Sequence, residues 1–238
     1  MSDSTSVTIM FIGAHHDDNE LMAGTMMRHI EAGWRVVSVV MTDGCWTPDD
    51  VSDANIERRN NESRAAAKML DAMPVFLGFK EAGFRNSKAA ADAVVKTIFD
   101  HRPRVIVTHP PLDYHFDHME TCKCVTDASY RCILRSEEGE PLETHPALYY
   151  SDAWFVPFTP DVYVDVSQYA QIKQDTLAAH KSQLPDGGQI EDTMIEYEMV
   201  RARFRGIESG CKYAEAFVRA NKLQNVRMGG LLGESEAR

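Results

Sequence analysis

Short apolar runs alternate with longer amphipathic ones along this chain, and that alternation is its clearest statement about fold. Residues 7–12 (VTIMFI) and 35–42 (RVVSVVMT) are nearly continuous apolar stretches rich in β-branched side chains, as expected of strands buried on both faces. Shorter runs follow at 74–78 and 104–108, and two more at 147–155 and 161–166. The segments between them read as helices: 21–30, 53 to about 73, 88–101, 119–135, 167–183 and 191–205. In the second helix Asp53 is the expected N-cap, and Ile56, Ala66, Met69, Leu70 and Met73 form the apolar stripe. Gly33 marks the end of the first helix and Pro103 follows the third. Residues 136–146 read as polar loop, 185–188 as a turn, and the tail from about 226 as loosely ordered. Strand and helix alternating at this spacing predict right-handed crossovers and a mostly parallel sheet. The expected architecture is a single-domain α/β fold over residues 1–238, a Rossmann-like three-layer α/β/α sandwich.

Composition narrows the function classes. A net charge of −11 argues against nucleic-acid binding and against an anionic membrane surface. No apolar run is long enough to span a bilayer. The five cysteines contain no CxxC pair, and residues 1–6 lack the basic region of a secretion signal, so the expectation is a cytoplasmic protein with reduced thiols. Cys122 and Cys124 lie two apart on an expected helix, point to different faces and read as packing residues.

The candidate chemistry gathers in two loops, each directly after a buried strand. The first is Gly13-Ala14-His15-His16-Asp17-Asp18-Asn19-Glu20. The second, His109 to His118, carries Asp113, Tyr114, His115, Asp117 and His118 behind two prolines that exclude regular helix. In open α/β sheets, ligands bind outside the carboxyl ends of the strands. Catalytic zinc sites use three imidazole, thiolate or carboxylate ligands and leave one position open. His15, Asp18 and His118 are the expected set for one ion per chain. Asp17, beside a ligand, is then placed to take a proton from water as a general base. His115 is placed to stabilise the oxyanion or protonate a leaving amine, with Asp117 orienting it and raising its pKa. A carboxylate at position 17 or 18 alone would do as a helix cap, but capping requires no histidines. His16 is expected to be exposed or packed, and His29 and His109 to be structural.

These motifs resemble those of the LmbE-like, or PIG-L, family of zinc-dependent N-acetylglucosaminyl deacetylases. Ala14-His15-His16-Asp17-Asp18-Asn19 stands where the family has AHPDDE, and His115-Phe116-Asp117-His118 matches its HxDH. Arg59 to Glu62 looks like the RxxE helix, Ala179 to Gln183 the AHxSQ segment, and Tyr213 to Phe217 the YAEAF segment. The resemblance implies the same ligands, base and transition-state histidine. It further implies that Arg59 contacts the substrate sugar or a phosphate-like substituent, and that Glu81 binds sugar hydroxyls; Tyr114 is a third expected substrate contact. The implied reaction is hydrolysis of an acetamide on a small N-acetylglucosamine-containing molecule. The implied assembly is a homo-oligomer, a trimer or hexamer. His16 replaces the motif's proline and Asn19 its glutamate.

Three alternatives stay open at the level of sequence. One is another metal-dependent hydrolase acting on a different amide or a phosphoester, with Asp113 and His16 holding a second ion. Another is a non-enzymatic nucleotide-binding module, although no GxGxxG follows the first strand. The third is a family member without activity.

Overall fold

The computed structural model describes residues 7–46, 51–135, 137–185 and 193–220. Seven strands form one sheet in the order β3-β2-β1-β4-β5-β7-β6. The first five run parallel: β1 (Thr8–Gly13), β2 (Arg35–Thr42), β3 (Met73–Phe79), β4 (Val105–Thr108) and β5 (Ala147–Ser151). Helices α1 (Ala23–Glu31), α2 (Asp53–Leu70), α3 (Lys88–His101) and α4 (Phe116–Arg131) connect them. β1 is central, with Ile9 beside both Val36 of β2 and Val105 of β4. The chain steps outward from β1 to β3, then returns to lay β4 on the other side of β1. The crevice between β1 and β4 is therefore a topological switch point, where this kind of sheet binds ligands.

Alternation along each strand fills two cores. Met10, Ile12, Val37, Val39 and Ile106 pack with α3 and α4, including Val94, Ile98, Cys124 and Val125. Ile9, Phe11, Val36, Val105 and Val107 pack on the other face with Met22 and Met26, and with Leu70 of α2. These are the three layers expected from the sequence. Cys122 and Cys124 are buried, and none of the five cysteines forms a disulfide.

Several elements depart from expectation. β7 (Ala214–Arg219) lies antiparallel between β5 and β6 (Val162–Asp165), in a segment the apolar pattern left unassigned. Glu215 in mid-strand hides the pattern, because its buried carboxylate accepts the Gly24 and Thr25 N–H groups at 3.0 and 2.8 Å and so caps α1. The fifth strand ends at Ser151 rather than 155. The fourth helix starts at Phe116 rather than 119, since the prolines restrict only the residues before it. Ser52, not Asp53, caps α2, accepting the Asn55 N–H at 3.1 Å. The buried face of α2 is Arg59, Ser63, Ala66, Ala67 and Leu70, whereas Met69 and Met73 are each 48% exposed. The expected helix 167–183 is shorter: α5 (Ala170–Ala178) ends before His180, and a short 3-10 turn follows at Lys181–Gln183. The last helix, α6 (Met194–Ser209), runs past its expected end to Gly210, whose φ of 81° suits glycine. Most of the expected turn at 185–188, and the tail from 226, lie outside the described residues. Among the described residues, no helix is long and apolar enough to cross a membrane.

Candidate active site

The loop after β1 turns sharply because Gly13 has no Cβ: one there would meet the Asp18 Cβ at 2.7 Å. The Asp18 carboxylate folds back to accept the His15 backbone N–H at 2.6 Å. The loop is tied to the sheet through the Ala14 carbonyl, which accepts from both the backbone and the hydroxyl of Thr42. His118 comes from the first turn of α4, where His115 is the N-cap and accepts the Asp117 N–H on its Nδ1 at 3.2 Å.

Three side chains from these two loops converge. His15 Nδ1 and His118 Nε2 are 3.2 Å apart. The Asp18 carboxylate is 3.4 Å from the first and 3.3 Å from the second. All three residues are buried. Tetrahedral zinc with nitrogen and oxygen ligands near 2.1 Å sets its ligand atoms about 3.4 Å apart, so the donor set and spacing fit such an ion. More broadly, two groups of potential ligands share His118: His15 with His115, and Asp18 with His109.

Carboxylates back these imidazoles. Asp113 Oδ1 is 3.0 Å from His118 Nδ1, and Asp117 and Glu81 stand 3.5 and 3.6 Å from His15 Nε2. A histidine that offers one nitrogen to a metal ordinarily donates its other N–H in this way. Burial alone would lower the imidazole pKa values, but the acids overcome it. Asp18, Asp117 and Glu81 raise His15 to about 10. Asp18 and Asp113 raise His118 to about 9. Burial opposes ionisation of Asp18, yet His118, His109 and His15 hold it well below the usual carboxylate range. In effect, this spot gathers positive charge.

The remaining candidates separate clearly. Asp17 lines the cleft and receives the Arg59 guanidinium on Oδ1 at 3.3 Å. Glu81 and Tyr114 line it too, and burial raises the Glu81 pKa. His115 also lines it, half-buried; burial, then His15 and His118, lower it to about 4. The expected orientation of His115 by the Asp117 side chain is not found. That carboxylate accepts the Ala82 N–H at 2.9 Å and faces His15, and it is the Asp117 backbone N–H that bonds to the His115 ring.

His16 is packed. It stacks on Phe76, its Nε2 meets Asn60 Oδ1 at 2.9 Å, and burial lowers it to about 4. Asn19 does not face the cleft: its amide donates to Ser38 Oγ and the Val39 carbonyl. His109, expected to be structural, lines the cleft, stacks on His118 at 3.9 Å and accepts the Ala14 N–H at 3.0 Å. Its place directly after β4 was the available signal. Ser151, Asp152, Trp154, Gln183, Met194 and Arg201 complete the walls of a cavity of about 190 Å³. Of these six, Gln183 lies in the AHxSQ segment, and no motif or spacing in the sequence marks the other five.

The weaker motifs also meet in space. Glu62, at the end of the RxxE stretch, accepts both the backbone N–H and the hydroxyl of Ser182, at 2.8 and 2.6 Å. His180 faces Glu20 at 3.5 Å.

Residues 10–129 match the PIG-L family model, described as GlcNAc-PI de-N-acetylase. The chain belongs to this family. It is 25% identical over 219 residues to the diacetylchitobiose deacetylase of Thermococcus kodakarensis, covering 87% of this chain and 80% of that protein. Its fold is similar to that of the N,N'-diacetylchitobiose deacetylase from Pyrococcus horikoshii (TM-score 0.78, 21% identity, 90% of this chain and 83% of that one). It is similar also to the conserved protein TT1542 from Thermus thermophilus (TM-score 0.77, 24% identity, 89% and 93%). PIG-L membership, with a histidine–aspartate cluster able to hold a divalent metal, makes the chain a hydrolase of the deacetylase type.

Proposed function

We propose that this chain is a zinc-dependent N-deacetylase that removes the acetyl group from a small N-acetylglucosamine-containing molecule. One observation carries the reading: His15 Nδ1, His118 Nε2 and the Asp18 carboxylate converge at 3.2–3.4 Å, with Asp17 in the same cleft. His15, Asp18 and His118 would hold one ion per chain. When bound, such an ion supplies Lewis-acid activation of a water and of the acetamide carbonyl.

The chain's own residues then divide the work. Asp17 accepts the proton of the attacking water, and Arg59 fixes the carboxylate that does so. His115, a neutral imidazole, donates a hydrogen bond to the oxygen on which negative charge develops, and the proton taken by Asp17 passes on to the departing amine. Asp113 and Asp117 orient the two ligand imidazoles from behind. Arg59, Glu81 and Tyr114 contact the sugar. The enzyme acts in the cytoplasm, as a trimer or hexamer.

A two-ion phosphoesterase draws no support from the residues suggested for its second ion. His16 is bonded to Asn60, and Asp113 to His118.

The test is acetate release from a panel of N-acetylated amino sugars and their glycosides, with and without a chelator, alongside elemental analysis. Chelator-sensitive release and one zinc per chain are expected. No release from any acetamide by zinc-loaded protein, or two tightly held ions per chain, would overturn the reading.

A further inference from the structure

Helix α6 has two apolar sides, and only one of them meets the rest of the chain. Ile195, Glu198, Ala202, Arg205 and Gly206 are buried, on the side that packs against β7. On the other side Tyr197, Val200, Phe204 and Ile207 are between 48% and 63% exposed. Their spacing, alternately three and four residues, puts them within about 90° of one another around the helix. Apolar residues repeating in this way over two heptads form the seam of a coiled coil, with Tyr197 and Phe204 at the first position and Val200 and Ile207 at the fourth. Phe155, 76% exposed, stands 6.3 Å from Tyr197 and widens the seam. An aromatic side chain carries about 150–250 Å², so at these exposures the five residues present roughly 500 Å², a patch of the size that marks a contact site.

The charges beside the seam say what covers it. Glu196 and Arg203 flank it on one side, Arg201 and Glu208 on the other, so each flank carries one acid and one base. A helix that lies on a membrane has a polar face rich in lysine and arginine, and the net charge here is −11. Arg201 and Glu208 are tied within the chain, to Glu198 and to Arg205. Arg203 is exposed and anchored, its Nη1 donating to the Cys211 and Lys212 carbonyls at 3.3 and 2.9 Å. A flank that reads acid then base along the helix complements itself when a second copy is turned end over end.

We infer that α6 pairs antiparallel with α6 of a second copy of this chain, across a two-fold axis. Glu196 of each copy then faces Arg203 of the other. Tyr197 meets the partner's Ile207, and Val200 the partner's Phe204, which sets a ring against an aliphatic chain in every layer, as interdigitation requires. Parallel pairing would instead stack each residue on its own copy. Buried on both copies, the seam removes about 1,000 Å² from water, the least that a specific interface needs. A ring of three has no two-fold axis, whereas a hexamer of two facing rings has. The pairing therefore selects the hexamer from the two assemblies proposed above.

The experiment is sedimentation velocity of the full chain as purified, with no substrate present, so its outcome is independent of the deacetylase reading. Wild-type protein is expected to hold an even number of copies, and Phe204→Glu to have half that mass. Arg203→Glu sets two acids opposite each other and is expected to raise the dissociation constant of the two-fold contact at least tenfold. Adding Glu196→Arg to it reverses both charges and is expected to bring that constant back to within threefold of wild type. A wild-type monomer or trimer, an unchanged mass for Phe204→Glu, or a double variant no tighter than Arg203→Glu overturns the inference. A wild-type monomer that floats with phosphatidylcholine vesicles also overturns it and gives the face to lipid. Should Phe204→Glu fail to fold by circular dichroism, Val200→Glu replaces it with the same expected halving, and an unchanged mass again overturns the inference.

Discussion

Two clusters of buried charge meet at the entry to α1, and they are organised in opposite ways. Around Lys173 every charge is answered. Its ammonium lies 2.9 Å from Glu198 and 2.7 Å from Glu215, and it also meets the Leu21 carbonyl. Burial would lower the Lys173 pKa, but the two glutamates raise it above its ordinary value. Around His118 the groups converge with one kind of atom. Two imidazole nitrogens and a carboxylate point at one another, with Asp113, Asp117 and Glu81 behind them. The first cluster closes on itself, while the second could hold a cation. Buried charge by itself therefore does not mark a site; convergence of lone pairs from different elements does.

If that contrast holds, the open cluster governs turnover and the closed one governs stability. Asp17→Asn is expected to have the largest effect, lowering kcat by about 10²–10⁴-fold, the usual worth of a general base. Zinc content should be unchanged and unfolding free energy should fall by about 1–3 kcal/mol, since the buried Arg59 guanidinium loses a charged acceptor but keeps an amide oxygen. Steady-state kinetics with elemental analysis and urea unfolding check all three.

Lys173→Met is the reverse case. It strands Glu215 and leaves Glu198 with Arg201 as its remaining cation, and breaking one partner of a buried pair costs about 3–5 kcal/mol. Urea unfolding should show that loss in zinc-loaded and chelator-treated protein alike. A loss that appears only with zinc bound would join the two clusters into one.

Asp113→Asn probes the support behind the open cluster. Removing a carboxylate that orients a ligand histidine weakens metal affinity about 10–100-fold. Competition with a chromogenic chelator measures it, and an unchanged affinity would mean that Asp113 serves only the loop.

The smallest effect belongs to a histidine in neither cluster. His29 is fully buried; its Nδ1 bonds to the Thr25 carbonyl at 2.7 Å, and its ring meets Trp34 edge to face. Burial, and then Arg28, lower its pKa from 6.5 to about 4. The unfolded chain therefore binds a proton between pH 6.5 and 4 that the folded one refuses. Its stabilising share is whole above pH 6.5 and is lost as pH falls toward 4, by about 1 kcal/mol at pH 6. His29→Gln should remove that slice from the dependence of the urea midpoint on pH; identical slopes in variant and wild type would refute the assignment.

The sequence determined the framework because its signals are local. Apolar runs with turn residues between them specify β1 to β5 and their helices, and two such strands end at the two histidine–aspartate loops. Those loops carry the proposed ligands and base, His15, Asp17, Asp18 and His118, and with them His115, and they lie directly after buried strands, where spacing alone makes them visible. A few distant pairs were legible as motif fragments, such as Glu62 with Ser182 and Arg59 with Asp17, but nothing in the sequence said that they touch.

Tertiary structure decided the rest, where the meaning of a residue depends on what lies opposite it. β7 was hidden because Glu215 interrupts its apolar pattern, and only the N-terminus of α1 shows why a carboxylate belongs there. Asp117 was expected at His115, yet the fold turns its carboxylate to His15. His109 became part of the site by stacking on His118. Trp154 and Arg201 line the cleft from the segment after β5 and from α6, far along the chain from the metal motifs. Chemistry that one loop carries can be read from spacing, whereas the walls that select a substrate are assembled from side chains with no sequence relation to one another.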